Sequence, residues 1–145
     1  MHRILLLFIC LTFFSRIFSQ SLQGDWIAWY TYKDSPKDTA ILKIQFQLNK
    51  DSTYSVYSFC RFKYESLGGI KYARVVCKMS YKMLNRRSVY LEEVELISAE
   101  NYSREILFQK TTLELDYNFR SMKGTWGNVD EKATSSGSVW FTKKM

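Results

Sequence analysis

Chemistry in this chain would have to come from very few side chains. The one histidine is His2, and the three cysteines are Cys10, Cys60 and Cys77. A serine or cysteine nucleophile needs a base beside it, usually an imidazole, and zinc sites draw on His and Cys. His2 and Cys10 fall in a segment that reads as a cleaved leader, so the rest of the chain offers neither system. No Gly-rich phosphate loop is present. Carboxylates remain, with Glu92, Glu93 and Glu95 in one run and Glu114 and Asp116 in another. Paired carboxylates can hydrolyse glycosides, but Glu114 and Asp116 alternate with apolar residues and are expected to face solvent. The sequence reads as a binding protein without catalysis, metal or cofactor.

Cys60 and Cys77 lie at equal distance from Gly68-Gly69. A two-residue turn on those glycines, both able to take positive φ, would close with Leu67 opposite Ile70. Cys60 would then face Cys77 in a non-hydrogen-bonded pair, close enough for a disulfide. Export would favour that bond. The start of the chain supports export: Arg3, an apolar run over 4–14 and Ser19-Gln20-Ser21 read as a secretory signal peptide over residues 1–19. The run is about 11 residues, short of the ~20 a membrane span needs. The expectation is a secreted or periplasmic protein with no transmembrane segment and a single domain over 20–145. Asn101-Tyr102-Ser103 is a glycosylation sequon, meaningful in a eukaryotic secretory pathway.

Beyond the leader, short runs rich in Ile, Val, Thr, Tyr and Trp alternate with polar breaks, which is all-β patterning. Eight strands are expected, over 24–32, 39–48, 53–65, 70–83, 88–97, 105–119, 122–129 and 137–143. Their short links imply an antiparallel meander. The hairpin register sorts the side chains by face. Cys60, Phe62, Tyr64, Ala73, Val75 and Cys77 share the inner face, with Tyr54, Val56, Met79, Tyr81 and Met83 extending it. Leu42, Ile44, Phe46 and Leu48 form the inner set of the second strand, which requires an odd-numbered loop near 49–52.

Two runs resist strict alternation. Counting on from Val89 and Leu91 sends Glu93 and Glu95 inward, and an unpaired buried carboxylate is costly. A β-bulge at Glu92-Glu93 is expected to return Val94 and Leu96 to the inside and set Glu95 beside Lys78. The competing arrangement keeps one glutamate in a wet cavity, where it serves a ligand. In the sixth run Ile106 and Phe108 oppose Leu113, Leu115, Tyr117 and Phe119 in parity, so a bend is expected at 110–112.

An eight-stranded barrel either just fills its interior or holds one small ligand. Aromatic residues make up 17% of the chain, and the inward ones, Phe46, Tyr54, Phe62, Tyr64, Tyr81 and Tyr117, are the candidate wall for a small hydrophobic ligand. Arg61, Lys63, Arg74, Lys78 and Lys82 line the outer face. The chain carries 21 Lys and Arg against 14 Asp and Glu, formally +7, and losing Arg3 and Arg16 with the leader makes that +5. The stripe suits an anionic polymer or acidic protein; nucleic acid is not expected without a recognisable module.

Gly24-Asp25-Trp26 resembles the Gly-x-Trp motif that opens the lipocalins and related calycin barrels, and the eight-strand meander agrees with it. Leu115-Asp116-Tyr117 is similar to the lipocalin Thr-Asp-Tyr segment between the sixth and seventh strands, with leucine where threonine is expected. No helix is expected over 144–145, where a lipocalin would continue into one after its last strand. The resemblance implies an up-and-down barrel with Trp26 packed across its closed end and a small apolar ligand inside. Gly124-Thr125-Trp126-Gly127 and Gly137-Ser138-Val139-Trp140 repeat the style. Gly24, Trp26, Trp126 and Trp140 are therefore expected at the barrel ends, the alternative being a binding wall made by Trp126 and Trp140. The whole reads as a lipocalin-like monomer that binds a small apolar or amphipathic molecule. The competing reading is an exported interaction or inhibitor module with a packed core.

Overall fold

The computed structural model describes residues 21–102 and 105–145, apart from the side chains of 64–66. The leader at 1–19, the side chain of Tyr64 and Ser103 of the sequon lie outside the described residues. Eight strands follow in order: β1 (Gly24–Tyr32), β2 (Thr39–Leu48), β3 (Tyr54–Ser66), β4 (Gly69–Met83), β5 (Ser88–Glu100), β6 (Gln109–Leu115), β7 (Ser121–Asn128) and β8 (Ser136–Lys143). Each pairs antiparallel with its neighbour in sequence, and β1 pairs with β8 to close an up-and-down barrel. Among the described residues no helix is long and apolar enough to cross a membrane.

Alternation explains why these segments are strands. Trp26, Ala28 and Tyr30 of β1 point inward and are buried, as are Leu42, Ile44 and Phe46 of β2, Val89 and Leu91 of β5, and Leu113 and Leu115 of β6. Their neighbours along each strand alternate outward while their ladder partners share the inner face, so one face of every strand fills the barrel. Burying each of these larger side chains contributes roughly 1.5–3 kcal/mol. The β2–β3 loop holds five residues between paired Leu48 and Tyr54, the odd number that keeps Phe46 and Val56 on the inside.

One end of the barrel is shut. Residues 21–23 cross it, burying Leu22, and the Trp26 indole donates to the Leu22 carbonyl at 2.9 Å. The Ser21 and Tyr54 hydroxyls meet at 2.8 Å, and Lys143 Nζ donates to the Ser21 carbonyl at 2.6 Å. Gly24, with φ +122°, makes the bend that admits this segment; that conformation strains any residue with a Cβ.

The β3–β4 hairpin is displaced by two residues from the expected register. Ser66 pairs with Gly69, so Leu67-Gly68 forms the turn, and positive φ falls on Gly69 rather than on two central glycines. A type I turn followed by a positive-φ glycine is a standard hairpin alternative to the primed turn. Cys60 therefore faces Val75, and Cys77 faces Ser58. The expected disulfide is absent and both thiols are free. A shift of two is one full side-chain period, which is why the inner and outer assignments survive it: Ala73, Val75, Cys77 and Met79 are buried.

Three further expectations need correction. The bulge in β5 comes after Glu93: the register with β4 slips at Val94 and again at Ile97. Glu93 accordingly stays inside at 7% exposure, while Val94 and Leu96 are about half exposed. Glu95 does reach Lys78, at 3.9 Å. β6 starts only at Gln109, so Ile106 and Phe108 belong to the connection before it. Tyr117 lies beyond β6 in the corner before β7, largely exposed, with the Arg87 guanidinium 4.1 Å over its ring. There Asp116 accepts the backbone N–H groups of Arg120 and Ser121.

Candidate ligand site at the open end of the barrel

The ladder between β5 and β6 stops short of the end opposite Trp26. Its last pair is Glu92 with Lys110. One step further Gln109 N–H has no β5 carbonyl to bond, and it donates instead to Glu93 Oε2 at 3.0 Å. Ser58, inward on β3, donates to Glu93 Oε1 at 2.5 Å. A carboxylate thus completes the strand pairing where the backbone cannot. Above it the sheet parts, and the barrel holds a cavity of about 230 Å³.

Glu93, Ser58, Cys60, Cys77 and Gln109 contribute to the polar part of the cavity wall; Tyr32, Phe62, Tyr102 and Trp126 give it aromatic surface. Trp126 is held by its indole N–H, which donates to the Thr31 carbonyl at 2.9 Å, and it meets Tyr32 edge to face with centroids 5.2 Å apart. Phe62 stacks on Tyr102 at 5.5 Å. Gly137 makes room for Trp126, because a Cβ there would lie 1.8 Å from the Thr31 carbonyl and 2.9 Å from the indole nitrogen.

Burial raises the Glu93 carboxyl above its ordinary range, while the Ser58 hydroxyl and the Gln109 amide pull it back. Among the described residues it has no cationic partner. Burial, assisted by the Glu93 charge, pushes both Cys60 and Cys77 up to about 12, which keeps them as thiols. Tyr30 beneath is raised as well, mainly by its burial. Gln109 has a buried side-chain oxygen without a hydrogen-bond partner.

The residues expected to bind a ligand do not form one wall. Phe46, Tyr54 and Tyr81 join edge to face near the shut end, in contact with Trp26 through Phe46. Phe62 alone of the described members reaches the cavity, and Tyr117 is on the surface. Of the four barrel-end residues, Gly24 and Trp26 are at the shut end and Trp126 is near the open end, in the cavity wall. Trp140 points outward, 49% exposed, with its ring 5.5 Å from Trp29. The basic residues Arg61, Lys63, Arg74, Lys78 and Lys82 are all exposed on the outside of β3 and β4. Arg61 sits directly opposite Arg74, stacks 4.1 Å over Tyr72, and Arg74 lies 3.9 Å from Glu100.

Ser58, Gln109, Tyr32 and Tyr102 escaped the sequence reading. Ser58 carried a usable signal, since it shares the inward parity of Val56 and Cys60. Gln109 carried none, because its role depends on where the β5 and β6 ladders separate.

No protein-family model matches the chain, and comparison with curated proteins finds no match. The fold itself defines the class: an eight-stranded antiparallel barrel, shut at one end and cavity-bearing at the other.

Proposed function

We propose that this protein is an exported, lipocalin-like carrier or scavenger that holds one small amphipathic molecule in the open-end cavity and performs no chemistry on it. The observation that carries the reading is the contrast between the ends: packed aromatics and Trp26 at one, and at the other a 230 Å³ space with an aromatic wall and a buried carboxyl. Drug-sized ligand pockets run from about 300 to 1,000 Å³, so the occupant is a single ring or short chain; a longer molecule would leave its tail in solvent. The leader-like start of the sequence supports export.

Native mass spectrometry of the purified full chain tests the reading, together with tryptophan fluorescence during titration with small aromatic and aliphatic molecules. A bound species, or a saturable change that disappears in Trp126→Phe, is the expected result. No bound species and no saturable response to any of them would overturn it.

A second reading rests on one observation, the like-charged pair Arg61 and Arg74 directly opposite each other on the outer face. Such pairs destabilise a sheet, and an anionic polymer or acidic protein laid across β3 and β4 would relieve them. Heparin retention lost at modest salt, and weakened in Arg61→Ser with Arg74→Ser, is its expected signature.

A further inference from the structure

Resting on the small-ligand reading, we infer that the open-end cavity is selective for a small organic cation with N–H donors, a protonated primary amine on an apolar body, paired with Glu93. Three observations converge on it. Glu93 is buried in the cavity wall, and among the described residues its two hydrogen bonds come from neutral donors, Ser58 Oγ and Gln109 N. No described cation neutralises it, and a lone carboxylate in such a place is costly to keep ionised. The cavity that Glu93 lines also carries the aromatic side chains of Tyr32, Phe62, Tyr102 and Trp126. An ammonium group supplies the missing charge and N–H donors to the carboxylate.

The apolar part of such a molecule matches the rest of the wall. Trp126, Tyr32 and the stacked Phe62 and Tyr102 offer aromatic faces and edges above the carboxyl. Aromatic faces attract cations and also bury hydrocarbon. A carboxylate or phosphate ligand would meet Glu93 as a like charge, and a neutral alcohol would leave it uncompensated. The cavity's size limits the body to about one ring.

Isothermal calorimetry on the full chain at neutral pH tests this with size-matched pairs: benzylamine and benzyl alcohol, 2-phenylethylamine and 2-phenylethanol, cyclohexylamine and cyclohexanol. At least one amine is expected to bind ten-fold or more tighter than its alcohol, and Glu93→Gln to remove that preference while leaving alcohol binding within about two-fold. Alcohols that bind as well as their amines, or an amine preference that persists in Glu93→Gln, would overturn the cation assignment and leave the small-ligand reading standing. Binding by neither set would overturn both.

A second measurement uses only the unmodified protein. At a pH where Glu93 is partly protonated, amine binding should release a proton, seen as a heat that varies with the buffer's ionisation enthalpy, and alcohol binding should not. The groups facing Glu93 do not confuse this: Tyr30 on β1, Cys60 on β3 and Cys77 on β4 stay neutral there. Ser58 and Gln109 do not titrate, and β2 and β7 bring no ionisable side chain to the cavity; Glu105 lies at its exposed rim, so the measurement is repeated in Glu105→Gln, where the proton release is expected to persist. Equal proton release with both ligand types would overturn the assignment.

Discussion

Ser58 and Glu93 are 35 residues apart in sequence and are joined by a hydrogen bond of 2.5 Å inside the barrel. The bond crosses from β3 to β5 beneath the parted sheet and anchors the one buried carboxyl that faces the cavity among the described residues. It explains how the chain tolerates an acid on the inner face: the carboxylate accepts from Ser58 and also takes the strand N–H of Gln109 that β5 leaves unmatched.

Removing that donor should therefore be expensive. Ser58→Ala leaves a buried carboxylate oxygen unsatisfied, and urea denaturation at neutral pH is expected to show a loss of about 1–3 kcal/mol. Ser58→Thr, which keeps the hydroxyl, should recover part of it. No loss in Ser58→Ala would mean that water replaces the hydroxyl freely and that the site is open to solvent.

The pH dependence has a definite sign. The ordinary value for Glu93 is 4.5 and folding raises it. Between the two values the folded protein holds a proton the unfolded chain has lost, so the Glu93 contribution to stability declines as pH rises through that window and levels off above it. In Glu93→Gln that decline is absent, and the stability of the variant relative to wild type is expected to increase with pH from about 4.5 upward. Asp25, Asp51 and Asp116 have lowered values, so their contributions change below 3.8, outside the window. A relative stability that falls with rising pH would contradict the burial of Glu93.

The thiols give a third test. Cys60 and Cys77 are unbonded and raised to about 12 by burial, so a thiol reagent at neutral pH should react slowly with the folded protein and label both after denaturation without reductant. Labelling that requires reductant would restore the disulfide.

The barrel was legible in the sequence because its signal is local. Alternation in Trp26, Ala28 and Tyr30, or in Leu42, Ile44 and Phe46, needs no knowledge of the partner strand. The hairpin register was read two residues out because Leu67-Gly68 and Gly68-Gly69 are both acceptable turns, and only the faces, which repeat every two residues, were immune. The site was less legible. Aromatic identity placed Phe46, Tyr54 and Tyr81 in a ligand wall, but the barrel uses the same residues to fill its shut end. Glu93 did register as a misfit in the alternation. Its resolution depends on Ser58 and Gln109, brought beside it by pairings that no single strand encodes.

Close approach of strands makes a fourth prediction. At Gly137 a Cβ would sit 1.8 Å from the Thr31 carbonyl, whereas at Gly127 the nearest atom is 4.0 Å away. Gly137→Ala is expected to cost about 3 kcal/mol and to shift tryptophan emission by displacing Trp126. Gly127→Ala should stay within about 1 kcal/mol of wild type. Equal effects would show that Trp126 is not held by the β1–β8 contact.

The central claim is that Glu93 is a buried acid facing a cavity that takes a cation. Titration of the Glu93 side-chain carboxyl by carbon-13 NMR, with and without saturating 2-phenylethylamine, tests it most directly. The account predicts a midpoint above 4.5 in the free protein and a clear fall when the amine is bound, because a paired ammonium favours the ionised form. A free-protein midpoint at the ordinary carboxylate value, or one the amine leaves unmoved, would contradict it.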